Sequence, residues 1–175
     1  SFHGQTEYWL PAMANVDEDI DGVWPMKSSM SEVQAAVGVE LLDRLDDFTG
    51  QRRSRGLTFR DALQDYSELR FQDIPSPEMH SHHLMPAICE SKEWNRDDLI
   101  RILSEKYGVK AIVQYYPLNR YGLFEKRGFG GADIPQTDNL FDNMISFPFS
   151  IVIAESDFQY MIKSVKQAIQ QLRKS

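Results

Sequence analysis

The sequence predicts an α+β fold in which one small sheet is covered by helices. Three observations favour it: stretches with apolar residues every three or four positions, short apolar runs that end at proline, and a mixed order of the two patterns along the chain. The chain has 175 residues, of which 42% are hydrophobic, and this is enough to bury a sizeable core. We therefore expect helices packed on a sheet.

The N-terminal part of the chain predicts an arm followed by a long helical region. The first 27 residues show no regular pattern, because Pro11, Gly22 and Pro25 interrupt them. Ser29 and Glu32 have the spacing of a capping box, which predicts the start of a helix. Apolar residues then recur on one face, at Met30, Val33, Val37, Leu41, Leu45 and Phe48. The helical spacing resumes after two glycines and continues to about residue 68, as one kinked helix or as two helices in sequence.

The rest of the chain alternates strand and helix signals. Apolar runs predict strands over 71–74, 83–89 and 109–116, the last closed by Pro117. Between the second and third runs, Asn95 caps a predicted helix that reaches Lys106 and stops at Gly108. A helix, a strand and a last helix follow over 136–141, over 144–147 and from Ser156 onwards. Ser156 and Gln159 repeat the capping-box spacing.

Composition excludes several classes of protein. The chain has 26 acidic and 19 basic residues, and this excess argues against nucleic acid as a partner. No apolar run approaches the roughly 20 residues that span a bilayer, so we expect a soluble protein without a membrane partner. Cys89 is the only cysteine and can form no internal disulfide, which favours an intracellular, cytoplasmic location.

Two patterns resemble metal sites without completing them. The acidic run at 17–22 opens like a calcium-binding EF-hand loop, but the ninth and twelfth positions carry no carboxylate. His80 and His82 would share one face of a strand, yet no third ligand is evident, so no metal site is predicted. His83 leads into an apolar run, and we expect its side chain to face a pocket.

Three further features leave alternatives open. The glycines at 128–131 are typical of a flexible loop, because no strand and helix flank them as a phosphate cradle requires. Tyr115 and Tyr116 end a predicted strand, and one of them belongs either to the core or to a pocket rim. Lys27 precedes the long helix, either as an exposed lysine or as a partner for an anion. No serine or cysteine lies on a nucleophile elbow, so no catalytic residue is predicted.

Several motifs occur in the order of a known family. The string M-S-E-V-Q-A-A-V-G at 30–38 is similar to the helix signature of the pyridoxal-phosphate (PLP) sugar aminotransferases of the DegT/DnrJ/StrS kind. The same order continues with Arg53, H-H-L-M-P-A-I at 82–88, Y-Y-P-L at 115–118, I-P-Q-T-D at 134–138 and M-I-S-F-P-F at 144–149. The resemblance covers nearly the whole chain.

The resemblance implies a fold and a reaction. The fold is that of a type I PLP aminotransferase, in which this stretch corresponds to the end of the large domain (1–29), the long connecting helix (30–69) and a small C-terminal domain with a mainly antiparallel sheet (70–175). The implied reaction moves an amino group from glutamate or glutamine to a nucleotide-linked keto-sugar, with PLP as cofactor in a homodimer. Dehydratase chemistry, which some members perform, stays open.

The resemblance also indicates site residues. The lysine that holds PLP is expected upstream of Ser1, none of the eight lysines lies in the family's lysine context, and the chain alone is therefore expected to be inactive. Lys27 occupies a position where the family contacts the cofactor phosphate, and we expect it to bind the cofactor. Tyr116, Asn119 and His83 are expected to bind substrate. The alternative is a non-catalytic interaction domain that pairs with a separate cofactor-binding chain.

Overall fold

The computed structural model describes residues 29–75 and 78–174, so the predicted arm lies outside the described residues. The elements are α1 (Glu32–Asp43), α2 (Leu45–Ala62), β1 (Leu69–Phe71), β2 (Met85–Cys89), α3 (Arg96–Tyr107), α4 (Gly122–Lys126), α5 (Pro135–Asn143), β3 (Met144–Phe147) and α6 (Glu155–Leu172). The chain divides into two compact units between Asp43 and Arg44. The three predicted segments, with boundaries after residues 29 and 69, stay predictions.

Helix α1 begins later than the sequence predicts, because a different serine caps it. The Ser31 hydroxyl accepts a hydrogen bond from the Gln34 N–H at 3.2 Å, and Gln34 Oε1 accepts one from the Ser31 N–H at 2.9 Å. This reciprocal pair is a capping box, in which glutamine replaces glutamate. The predicted cap of Ser29 with Glu32 is therefore wrong by two residues. The helical region contains two helices in sequence, but they are separated at Arg44 and not at the glycines, since Gly50 and Gly56 both lie inside α2. Helix α2 ends at Ala62, about six residues before the predicted end near residue 68.

The sheet is small and antiparallel, as predicted. Its strand order is β1-β2-β3, with Leu69 opposite Cys89 and Met85 opposite Phe147. Strand β2 alternates buried and half-buried residues, so one of its faces lies against the core. Helix α3 also follows the prediction, because the Asn95 side chain accepts hydrogen bonds from two N–H groups and Gly108 ends the helix in the left-handed conformation, with φ 64°.

The core lies between the sheet and the helices α2, α3 and α6. Phe59 of α2 is fully buried, and its ring centroid lies 5.1 Å from that of Phe147 in β3 and 6.3 Å from that of Phe158 in α6. The predicted apolar face of α6 is buried throughout, at Phe158, Met161, Ile162, Val165, Ile169 and Leu172. Hydrophobic burial by these side chains fixes the helices on the sheet.

Arg55 connects α2 to the loop before α6. Its Nη1 donates hydrogen bonds to the carbonyl oxygens of Ser150 at 2.8 Å and Ile153 at 2.7 Å.

The predicted capping box at Ser156 is wrong, because α6 already begins at Glu155 and its N-cap residue makes no side-chain hydrogen bond. Gln159 instead donates to Glu155 within the first turn, at 2.7 Å.

Two predicted strands differ from the structure. Strand β1 ends at Phe71, where the predicted strand begins, because Leu69 rather than Ile74 pairs with β2. The run 109–116 forms a single bridge, in which Ile112 exchanges both backbone hydrogen bonds with Ser146 at 2.7 and 3.0 Å. The run therefore contacts the edge strand β3 at one residue only and does not extend the sheet by a fourth strand.

Candidate functional site

Two of the predicted substrate residues, Tyr116 and Asn119, lie on either side of Pro117, at the start of a 3₁₀ turn over Leu118–Arg120. Tyr116 contacts Phe141 of helix α5, whereas Asn119 lines a cavity that Tyr116 does not line. Lys27 lies outside the described residues, and His83 lies on a separate segment that leads into β2.

Residues 115–129, here called the aromatic segment, pack on α5 through ring contacts. The Tyr116 ring lies edge-on to Tyr121, with centroids 4.9 Å apart, and edge-on to Phe141 of α5, with centroids 5.3 Å apart. Edge-to-face pairs at these distances are favourable because the ring edge is positive and the ring face is negative. Tyr116 nevertheless remains 44% exposed, so it can also contact a ligand.

Arg120 holds the same segment by charge. Its guanidinium pairs with Asp138 and, at 3.4 Å, with Asp142, which lie one turn apart on α5. The guanidinium carbon also lies 5.1 Å from the centroid of the Phe141 ring, which is a cation–π contact. Hydrogen bonding to Asp138 raises the pKa of Arg120 above its ordinary value.

A cavity of about 470 Å³ opens between the aromatic segment and α5. Its lining is mostly apolar and consists of Leu118, Asn119, Phe124, Phe129, Ile134 and Thr137. The Oδ1 atom of Asn119 is buried and has no hydrogen-bond partner. An unpaired buried acceptor costs about 1–3 kcal/mol, so this oxygen lowers the local stability of the segment.

Of the two neighbouring histidines, His82 is buried and His83 is not. His82 is 3% exposed, whereas His83 is exposed, and Arg52 Nη1 donates to the carbonyl oxygens of both, at 3.2 and 3.3 Å. The His82 backbone has φ 48°, in the left-handed region, and its N–H donates to Nδ1 of His80 at 2.9 Å. The predicted pocket-facing role of His83 stays a prediction.

The His82 ring occupies the space above Gly56. A Cβ atom at position 56 would lie 2.5 Å from the ring, so only glycine admits this contact. Burial, followed by the positive charges of His80, Arg60 and Arg53, lowers the pKa of His82 to about 4. The ring is thus neutral near pH 7, and its Nε2 has no hydrogen-bond partner.

In the described part of the chain, no three His, Cys, Asp or Glu side chains are grouped to hold a metal ion.

The fold and the site together define a small α+β domain with a ligand-sized cavity beside an aromatic cluster. A model of the DegT/DnrJ/EryC1/StrS aminotransferase family matches residues 3–166. The chain belongs to this family. Its members are PLP-dependent aminotransferases, and the family assigned by resemblance is confirmed.

Two relatives of known name match over most of the chain. The spore coat polysaccharide biosynthesis protein SpsC of Bacillus subtilis is 25% identical over 146 residues, which are 82% of this chain and 38% of SpsC. The dTDP-3-amino-3,4,6-trideoxy-alpha-D-glucose transaminase of Micromonospora megalomicea is 23% identical over 143 residues, 81% of this chain and 38% of that enzyme. The chain thus spans about 38% of the length of both relatives.

Solved structures confirm the predicted fold. The aminotransferase TlmJ of Streptoalloteichus hindustanus superposes with a TM-score of 0.73 at 21% identity, over 87% of this chain and 40% of TlmJ. Helicobacter pylori PseC, an aminotransferase of pseudoaminic acid biosynthesis, also gives 0.73 at 21% identity, over 85% of this chain and 40% of PseC. The fold is therefore the one that the family resemblance implies.

The described residues do not fit covalent attachment of PLP. A lysine that forms a Schiff base must lose its proton, and a dry or cation-rich pocket promotes that loss. Lys166 is half-buried, and the other described lysines are exposed, at positions 92, 106, 110, 126, 163 and 174. Arg52 and Arg55 already donate to backbone carbonyl oxygens.

Among residues 29–75 and 78–174, no helix has the length and apolar character needed to cross a bilayer.

Proposed function

We propose that these residues are the C-terminal part of a PLP-dependent aminotransferase that transfers an amino group from glutamate or glutamine to a nucleotide-linked keto-sugar. The observation that carries the proposal is the family match over residues 3–166. The names of the two relatives support a sugar substrate, because one belongs to polysaccharide biosynthesis and the other acts on a dTDP-linked sugar.

In this proposal, the described residues bind the substrate and supply no catalytic amine. Tyr116 offers a phenol and Asn119 an amide, and the ion pairs of Arg120 with α5 keep the segment that carries both in place. Lys27 and His83 stay proposed contacts of the cofactor and of the substrate. All described lysines except the half-buried Lys166 are exposed, which supports the further proposal that this chain alone does not transaminate.

The assembly and location of the intact enzyme belong to the same proposal. We place it in the cytoplasm as a homodimer. The exposed apolar side chains of α1, among them Val33, Val37 and Leu41, are consistent with burial in a larger assembly. Size-exclusion chromatography of the intact enzyme tests the dimer, and elution as a monomer would contradict it.

The test compares two proteins. The product of the reading frame that contains these residues is purified with PLP and incubated with glutamate and a nucleotide-linked keto-sugar, and formation of 2-oxoglutarate is measured. We expect turnover with that product, and neither turnover nor the visible absorption of protein-bound PLP with the 175-residue chain. Borohydride trapping of PLP on a lysine of the 175-residue chain would overturn the inactivity of the chain alone.

The interaction-domain alternative gives a different result in the same experiment. If the purified reading-frame product has the intact mass of the 175-residue chain, the activity must come from a separate cofactor-binding chain. A co-purified partner that restores turnover would then support that alternative.

A further inference from the structure

Residues 78–84, here called the histidine strap, lead into β2 and bury one side chain. The structure describes all seven of these residues, and only His82 among them is buried, at 3% exposed. Met79 in the same strap is 75% exposed. Arg52 of α2 donates to the carbonyl oxygens of His82 and His83. The His82 ring and Arg52 therefore attach the strap to α2.

The position of the His82 ring is coupled to a strained backbone. The ring fills the space above Gly56, where a Cβ atom would lie 2.5 Å from it. The His82 backbone has φ 48°, and a residue other than glycine keeps such a conformation only where its surroundings hold it there. The His82 N–H donates to Nδ1 of His80 at 2.9 Å. The buried ring therefore holds the strap in a conformation that its backbone rarely adopts alone.

The groups around the His82 ring oppose a positive charge on it. His80 on the strap lies with its ring centroid 4.5 Å away, and the uncharged ring of Phe149, after β3, lies 6.4 Å away. Helix α2 contributes three cations near the ring, namely Arg52, Arg53 and Arg60. Nε2 of His82 is buried without a partner, so a protonated ring would bury an unpaired N–H donor. A charged ring is therefore stable only outside this position.

We propose that the histidine strap is a pH-sensitive switch, in which neutral His82 above Gly56 holds the strap on α2 and protonation of His82 releases the strap while the helices and the sheet stay folded. The hydrophobic core contains none of the described residues 78–84, so it can stay packed when the strap leaves. This inference does not rest on the proposed function.

Spin labels on the strap and on α6 separate local release from global unfolding. A nitroxide is attached to Met79→Cys on the strap or to Lys163→Cys at an exposed position of α6, while the buried Cys89 stays unlabelled. EPR spectra of the 175-residue chain are recorded from pH 7 to pH 4. Burial lowers the pKa of His82 from 6.5 to about 4, so the released strap binds more protons between these values.

We expect the ratio of mobile to restricted label at position 79 to rise about tenfold for each pH unit in this range, because one proton is taken up on release. The label at position 163 should keep its spectrum. An unchanged spectrum at position 79, or equal changes at both positions, would overturn the proposal.

Histidine variants identify the group that titrates. His82→Gln should remove the pH response of the label at position 79, whatever its mobility at pH 7, because glutamine takes up no proton. His83→Gln, at an exposed position, should keep the response. If His82→Gln still responds and His80→Gln does not, the titrating group is His80 and the proposal is wrong.

A steric change provides a second test that needs no change of pH. Gly56→Ala places a Cβ atom against the His82 ring, and we expect a mobile label at position 79 already at pH 7, with the label on α6 unchanged. Gly50→Ala, with nothing within 4 Å, should leave both labels as they are. A restricted label at position 79 in Gly56→Ala would overturn the proposal. The pH series on the chain with Gly56 and His82 in place keeps the test valid if Gly56→Ala fails to fold.

Discussion

The core and the aromatic segment differ in where their apolar side chains lie. In the core, Phe59, Leu99 and Ile145 are fully buried between helices and sheet. In the aromatic segment, Leu118 and Phe129 are each 65% exposed, and polar pairs such as Arg120 with Asp138 connect the segment to α5. The difference indicates that the core stabilises the fold, whereas the segment leaves apolar surface available to a ligand.

The largest expected effect comes from the centre of the core. Phe59→Ala removes a ring that contacts Phe71, Phe147 and Phe158, and we expect it to lower the free energy of unfolding by about 3–5 kcal/mol. Phe129→Ala is the control in the aromatic segment, with an expected loss below about 1 kcal/mol. Urea unfolding measures both. Equal losses would remove the distinction between the two regions.

A smaller effect is expected where α2 meets His82. Gly56→Ala places a Cβ atom 2.5 Å from the His82 ring, and we expect a loss of about 1–3 kcal/mol in the free energy of unfolding. Gly50→Ala, in the same helix with nothing within 4 Å, should instead raise it by up to about 1 kcal/mol. Thermal unfolding of the two variants checks the opposite signs. A stabilised Gly56→Ala variant would contradict this prediction, because it would show that the His82 ring moves away without a loss of stability.

The pH dependence of stability is expected to report the burial of His82. Burial lowers its pKa from the ordinary value of 6.5 to about 4, so between these values the unfolded chain binds more protons at this site. The contribution of the neutral, buried His82 to the free energy of unfolding is therefore complete above pH 6.5 and falls as the pH drops to 4. His82→Gln should flatten the stability profile in this window, and His83→Gln, at an exposed position, should not. Urea unfolding from pH 7 to pH 4 measures how the free energy of unfolding of each variant changes with pH. Parallel profiles for both variants would contradict the assignment of this pH dependence to His82.

The smallest effect on global stability is expected in the aromatic segment. Arg120→Ala removes exposed ion pairs with Asp138 and Asp142, and we expect a smaller change in the free energy of unfolding than for any variant above, because solvent screens such pairs. Amide hydrogen exchange in residues 118–129 should become faster, while exchange in α6 stays unchanged. Faster exchange in both regions would mean that the segment is part of the core.

Elements with a strong local pattern were predictable from the sequence. The apolar face of α6 and the cap of α3 at Asn95 depend on residues within the helix itself, and both were predicted. The run 109–116 has the composition of a strand, yet only Ile112 pairs, with Ser146 of the edge strand β3. Composition cannot show how far two segments run alongside each other. Similarly, Ser29 and Ser31 both suit a helix cap, and the structure uses Ser31.

The candidate site combines sequence expectations with contacts that only the structure provides. The family resemblance points to Tyr116 and Asn119, of which the first packs on Phe141 of α5 and the second lines the cavity, and their role in substrate binding stays a prediction. Arg120, Phe124 and Phe129 were missed because their roles depend on contacts with residues farther along the chain. The spacing between Arg120 and the I-P-Q-T-D motif gave no signal, since an arginine in a loop is usually solvated.

The sequence by itself determined the α+β class, the small antiparallel sheet and the family, because periodicity and motif order are local properties of the chain. Only the tertiary structure decided that His82 rather than His83 is buried, since this depends on the space above Gly56 and on the left-handed backbone at position 82. It also decided that Asn119 lines a cavity with an unpaired oxygen. Cavities, and polar atoms without hydrogen-bond partners, arise only when segments that are distant in the chain pack together.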